Sequence, residues 1–126
     1  MNGNNAAFRW DNLGLAAYWH DSDSNTYNTN KFVRFDHNGI YGWKGESESA
    51  PSDIDDIHDN CPFALTWDGF SLKNDDGSVR ISTEGDIQVL NDEETTMIKI
   101  GRFRPNEQDP VVYGIRISNA AGYPVM

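Results

Sequence analysis

Along this chain the apolar and polar positions repeat one short unit, a single Arg or Lys flanked by two bulky apolar residues. It stands at Phe8-Arg9-Trp10, Val33-Arg34-Phe35, Val79-Arg80-Ile81, Ile98-Lys99-Ile100 and Ile115-Arg116-Ile117, and Leu65-Thr66-Trp67 is a variant with Thr in the middle. Alternation with a period of two is the mark of a strand, whose successive side chains point to opposite faces. Three units run on at the same spacing into Asp11-Asn12-Leu13-Gly14, Asp36-His37-Asn38-Gly39 and Ser82-Thr83-Glu84-Gly85. In the first of these Asp11 can accept from the backbone N–H two residues on, and Gly14 supplies positive φ without a Cβ clash. Each unit predicts strand, turn, strand.

Hairpins are therefore expected over Phe8 to Trp19, Phe32 to Trp43, Phe63 to Lys73 and Val79 to Leu90. A strand follows over Met97 to Phe103, and a last one from Val111 to Ile117 turns at Asn119 to Gly122 into Tyr123-Pro124-Val125-Met126. Asp21 to Asn30 is too rich in Asn, Asp, Ser and Thr to be core and reads as a polar hairpin loop. Pro51 to Ile57 offers one or two helical turns, with Ile54 and Ile57 on one side and acids near the positive N-terminal end. The expected class is all-β, repeated hairpins forming a sandwich-like or intertwined trimeric module, with at most one short helix near residues 51–59. The spacing of the units varies, which excludes a solenoid of fixed period. Residues 1–126 read as a single β-rich module, and the apolar ending at Val125-Met126 reads as that of a segment cut from a longer polypeptide.

Charge narrows the partners. Twenty acidic against ten basic residues leave a net charge of −10. Such a field repels phosphate backbones and anionic headgroups, so neither nucleic acid nor a membrane surface is expected as a partner. The acids concentrate in Glu46 to Asp59 and Asn91 to Glu94, which read as solvated loops. No apolar run approaches the roughly 18 residues of a membrane span. Met1-Asn2-Gly3-Asn4-Asn5 lacks the basic start and apolar run of a secretion signal. The lone Cys61 cannot form an internal disulfide and reads as a small buried apolar residue.

Catalytic chemistry has no comparable signal. Asp21-Ser22-Asp23-Ser24-Asn25 matches the first half of a calcium loop, but Thr26 and Phe32 stand where Gly and the bidentate Glu belong. His20, His37 and His58 have no metal-ligand spacing, and His58 with Cys61 offers two zinc ligands at most. With this many acids some pair must fall at a glycosidase separation, so that observation has little weight. No Gly-x-Ser-x-Gly, Ser/Lys or Cys/His arrangement marks a nucleophile. The expectation is no metal, no cofactor and no enzymatic activity.

Two residue classes remain as site candidates. Trp10, Phe35 and Trp67 hold the same place in three units, which predicts a buried strand face. Tyr18, Trp19, Tyr27, Tyr41 and Trp43 fall outside that register. They either pack a second buried surface, against another layer or another chain, or form a sugar-stacking platform, for which Trp19, Tyr41 and Trp43 are the candidates. The basic stripe of Arg9, Arg34, Arg80, Lys99 and Arg116 is expected on the face opposite the core. There it is either solvated or, through Arg9, Arg34, Arg80 and Arg116, paired with carboxylates of a neighbouring subunit.

One resemblance is specific. The run Phe32-Val33-Arg34-Phe35-Asp36-His37-Asn38-Gly39-Ile40-Tyr41-Gly42 carries it, with Ala64-Leu65-Thr66-Trp67-Asp68-Gly69-Phe70, Gly77-Ser78-Val79-Arg80-Ile81-Ser82 and Tyr113-Gly114-Ile115-Arg116-Ile117-Ser118. From about Phe8 to the C-terminus the chain resembles minor structural proteins of the tail tip, tail fibre or baseplate of siphoviruses and prophages of Gram-positive bacteria. The resemblance implies a structural or host-adsorption segment of a phage tail, made in the bacterial cytoplasm and carried in the virion. It also implies a homotrimer, contact with other tail proteins and a host cell-surface glycan as ligand. Its motifs are structural, so no catalytic residue is carried over. Alternatives from the residues themselves are a monomeric carbohydrate-binding module using exposed aromatics, and a polysaccharide-degrading enzyme, which would need a groove lined with paired acids.

Overall fold

The computed structural model describes residues 6–45, 50–104 and 107–125; expectations resting on Met1–Asn5, residues 46–49, Pro105 and Met126 lie outside them. The chain divides into two compact units, Met1–Trp67 and Asp68–Met126. The first contains β1 (Phe8–Asp11), β2 (Gly14–Asp21), β3 (Thr26–Asp36), β4 (Gly39–Lys44), α1 (Ile54–Asn60) and β5 (Phe63–Thr66). The second contains β6 (Gly69–Asn74), β7 (Gly77–Ser82), β8 (Ile87–Asn91), β9 (Thr96–Phe103) and β10 (Val112–Ile117). Within each unit the strands pair antiparallel in chain order. The fold is all-β with one short helix, and the strands of either unit form one sheet, not the two facing layers of a sandwich.

Turn chemistry builds the hairpins. Leu13 N donates to Asp11 Oδ1 at 2.8 Å, Asn38 N to Asp36 Oδ1 at 2.8 Å and Asp76 N to Asn74 Oδ1 at 2.8 Å. Each bond closes a two-residue loop from within, and the glycine that follows opens the return strand. Gly39, at φ 141°, shows why no other residue serves there, since a Cβ would run into Leu65 O on β5. The Asp21 to Asn30 stretch departs from expectation. Only its first half is loop, with Asp21 Oδ1 accepting from Asp23 N at 2.9 Å, and Thr26 already begins β3. Polar composition there reports solvent exposure; Thr and Tyr are good strand formers wherever no burial is required. The C-terminal return is likewise less than a strand, a single bridge between Ser118 and Pro124 after the Asn119 turn.

The helix decides where the core lies. Asp53 caps it by accepting from Asp56 N at 2.9 Å, and Asp55 and Asp56 sit in the first turn, favourably for the helix dipole. Its inner residues Ile57 and Cys61 are buried against Ala16, Phe32, Tyr41, Trp43 and Ala64. Register places Arg9, Ala16, Arg34, Tyr41 and Ala64 in one row across β1 to β5, with Tyr18, Phe32 and Trp43 in the next row of that face. The core therefore lies on the arginine-bearing face, where the sequence predicted the opposite. Trp10, Phe35 and Trp67, the expected core residues, are 81%, 58% and 78% exposed.

The reason for the reversal is room. Alternation distinguishes two faces but does not say which one is covered. The small side chains of Ala16 and Ala64 leave space for a helix on one face, and two side-chain ties hold it there. Asn38 Nδ2 donates to Ser52 O at 3.1 Å, and His58 Nε2 meets Thr66 Oγ1 at 2.7 Å.

The second unit has no covering element among the described residues. Ser71, Arg80, Gln88, Lys99 and Arg116 form one row across β6 to β10. The opposite face carries Phe70, Ile81, Ile87, Ile100 and Ile115 in one row and Leu72, Val79, Val89, Ile98 and Ile117 in the next. Leu90 is the one buried hydrophobic residue described in this unit.

Candidate functional site

The basic stripe is satisfied within its own chain at four of its five positions. Arg9 Nε lies 2.8 Å from Asp11 Oδ2 on the same strand. Arg34 stacks its guanidinium 4.5 Å from the centroid of Phe32, beside Tyr41. The Tyr41 hydroxyl donates to Asp36 Oδ2 at 2.6 Å, so Asp36 holds the turn with one oxygen and the core phenol with the other. Burial, and then that hydrogen bond, push the Tyr41 phenol up to about 12, with Arg34 pulling the other way.

In the second unit Lys99 and Arg116 lie directly opposite each other, a like-charge pair that a sheet disfavours. Two features relieve it. Phe103 takes both cations, at 4.9 Å and 5.7 Å from its ring centroid, and Asp86 Oδ2 lies 3.5 Å from Lys99 Nζ. Burial disfavours the charged form of Asp86, but bonds from Ser82 and Gln88 and the Lys99 ammonium outweigh it and hold its carboxyl below the usual range. Arg80 is half-buried in the same row.

The sugar-platform candidates are separated by the fold. Tyr41 and Trp43 are buried beneath α1, whereas Trp19 is 56% exposed with Lys31 Nζ 3.9 Å from its ring centroid. The calcium-like loop spends Asp21 on its own backbone, and His20 pairs with Asn25 Oδ1 at 3.1 Å. Among the described residues no three His, Cys, Asp or Glu side chains converge as a metal site. Cys61 is fully buried, which pushes its thiol up to about 12. A polar hollow of about 400 Å³ in the second unit is lined by Glu84, Asp86, Lys99, Arg102, Phe103 and Arg104. Its Asp86 is already committed to Ser82, Gln88 and Lys99.

What remains open is the apolar face of the first sheet. Trp10, Leu15, Phe35, Ile40 and Leu65 form one row across all five strands, and Phe8, Ala17, Val33 and Gly42 form the next. Neither row contains a charged residue. The face has relief. One hollow of about 430 Å³ is lined by Ala17, Val33 and Gly42, with Trp19 and Phe63 beside them. Another of about 430 Å³ is bounded by Phe35, Ile40, Leu65 and Trp67, whose indole Nε1 donates to His37 O at 3.2 Å. Exposed patches of this extent mark interaction sites in stable proteins. The sequence reading named Trp10 and Phe35 but assigned them to an interior; the large, uniformly apolar flanks of the tripeptides were the signal for this face.

No protein-family model, curated protein or solved structure matches the chain. No helix among the described residues is long and apolar enough to cross a membrane.

Proposed function

We propose that this chain is a structural or host-adsorption segment of a phage-tail-like assembly, carried in the virion and acting as a homo-oligomer in contact with other tail proteins. The observation that supports it is the uncharged, exposed row of Trp10, Leu15, Phe35, Ile40 and Leu65 on a sheet whose other face is already closed by a helix. An apolar face of that kind fits a part that is buried in an assembly, because obligate interfaces are the ones that resemble a core cut in half. Its charged residues point the same way. They are spent on holding a thin sheet together, which is mechanical work. Immunogold labelling of induced phage particles with an antibody to the purified chain tests the reading. Label confined to tails is expected; particles that stay unlabelled while free protein accumulates would overturn it.

A second reading, a monomeric carbohydrate-binding module, is favoured by Trp19 alone, an exposed indole beside a hollow with Lys31 at its rim. It has lost Tyr41 and Trp43 to the core. Glycan-array binding abolished by Trp19→Ala in a monomeric protein would favour it over the assembly reading.

A further inference from the structure

We infer that the open face of the first sheet is closed by the same face of a second copy, related by a two-fold axis running along β3. This rests on the assembly reading and names the partner at its interface. Three observations carry it. The first is area. With aromatic side chains of roughly 150–250 Å² each, the exposed parts of Phe8, Trp10, Val33, Phe35, Ile40 and Leu65 come to on the order of 800 Å². That is about one partner's share of a stable interface. The second is charge. A copy of this protein carries −10, so two copies repel unless they meet where charge is absent. Both rows of this face are uncharged, and the acids Asp53, Asp55 and Asp56 sit at the start of the helix on the far side of the sheet.

The third is relief. The protruding rings are on β1, where Phe8 and Trp10 stand, and the hollows lie toward β4 and β5. A two-fold axis along the middle strand lays β1 of each copy over β5 of the other. Trp10 then faces the hollow bounded by Phe35, Ile40, Leu65 and Trp67, and the contact is repeated by symmetry, as an isologous interface requires. Phe8 falls likewise toward the Gly42 and Phe63 hollow. Two sheets stacked about 10 Å apart make the two-layer architecture that neither copy has alone. This two-fold order differs from the three-fold order that the tail resemblance implies.

Light scattering of the full chain at micromolar concentration should give about 28 kDa, twice the 14.2 kDa of one chain. Trp10→Asp and, separately, Phe35→Lys should each return the mass to one chain with an unchanged far-ultraviolet spectrum. Both residues are exposed, so neither substitution disturbs the core under α1. In a mixture of Trp10→Cys and Leu65→Cys chains, a short bismaleimide should join the two kinds to each other in preference to like with like. A three-chain particle, an unaltered mass in both variants, or preferential Trp10→Cys self-linkage would overturn the two-fold face. A single-chain mass together with labelled tails would overturn this inference and leave the assembly reading standing; a two-chain mass with unlabelled tails would do the reverse.

Discussion

Asp36 shows how much one side chain carries in so thin a sheet. One oxygen closes the β3–β4 turn and the other anchors Tyr41 in the core. Tyr41→Phe should cost about 1–3 kcal/mol, because it leaves a part-buried carboxylate oxygen without its donor. The phenol's raised pKa also fixes a pH dependence. A group that holds its proton more tightly when folded contributes stability below its unfolded pKa, near 10, and loses it as pH rises toward the folded value of about 12. Melting temperatures followed from pH 9 to 12 should fall more steeply in the wild type than in Tyr41→Phe. Glycine positions separate two further effects. Gly85→Ala meets open space at φ 93° and should cost about 1 kcal/mol of backbone strain. Gly39→Ala adds a collision with Leu65 O and should cost clearly more, while Gly114→Ala, in open space without positive φ, should be neutral. Urea midpoints rank the three.

At the level of elements, α1 is short but decisive. Asp53→Ala should lose the cap at about 1 kcal/mol, and Ile57→Ala should leave a cavity costing about 2–5 kcal/mol. Arg34 belongs to the same layer, stacked on Phe32, so Arg34→Ala should lower the melting temperature by the same amount at every protein concentration. A concentration-dependent effect would instead place it between chains. In the second sheet, Asp86 neutralises an unfavourable pair. Its pKa is lowered on folding, so its contribution is present above the unfolded value near 4 and vanishes as pH falls through the folded one. Asp86→Asn should therefore be less stable than wild type at pH 7 and approach it below about pH 3, as chemical melts at the two pH values would register.

For the whole molecule, a face closed by association ties folding to assembly. The wild-type melting temperature should climb with protein concentration, since anything that binds only the folded state stabilises it by mass action. In Trp10→Asp the melting temperature should be independent of concentration. Differential scanning fluorimetry over a hundredfold dilution reads both.

The hairpins, their turn residues, the helix near residues 51–59 and the two-faced character of each strand were all legible in the order of residues. Each depends on groups within a few positions of one another. Asp11 bonds to Leu13, Asp36 to Asn38, and Asp53 to Asp56, and no distant contact is needed to set them. Which face became the core was not legible, because a period of two is symmetric between faces. That choice fell to α1, which settled over Ala16 and Ala64 and was tied there by Asn38 and His58, residues with no shared pattern. Tyr41 and Trp43 passed from platform to core by that choice, and Trp10 and Phe35 from core to surface. Local chemistry determined the strands; only the tertiary packing of one short helix decided which side of them was left open.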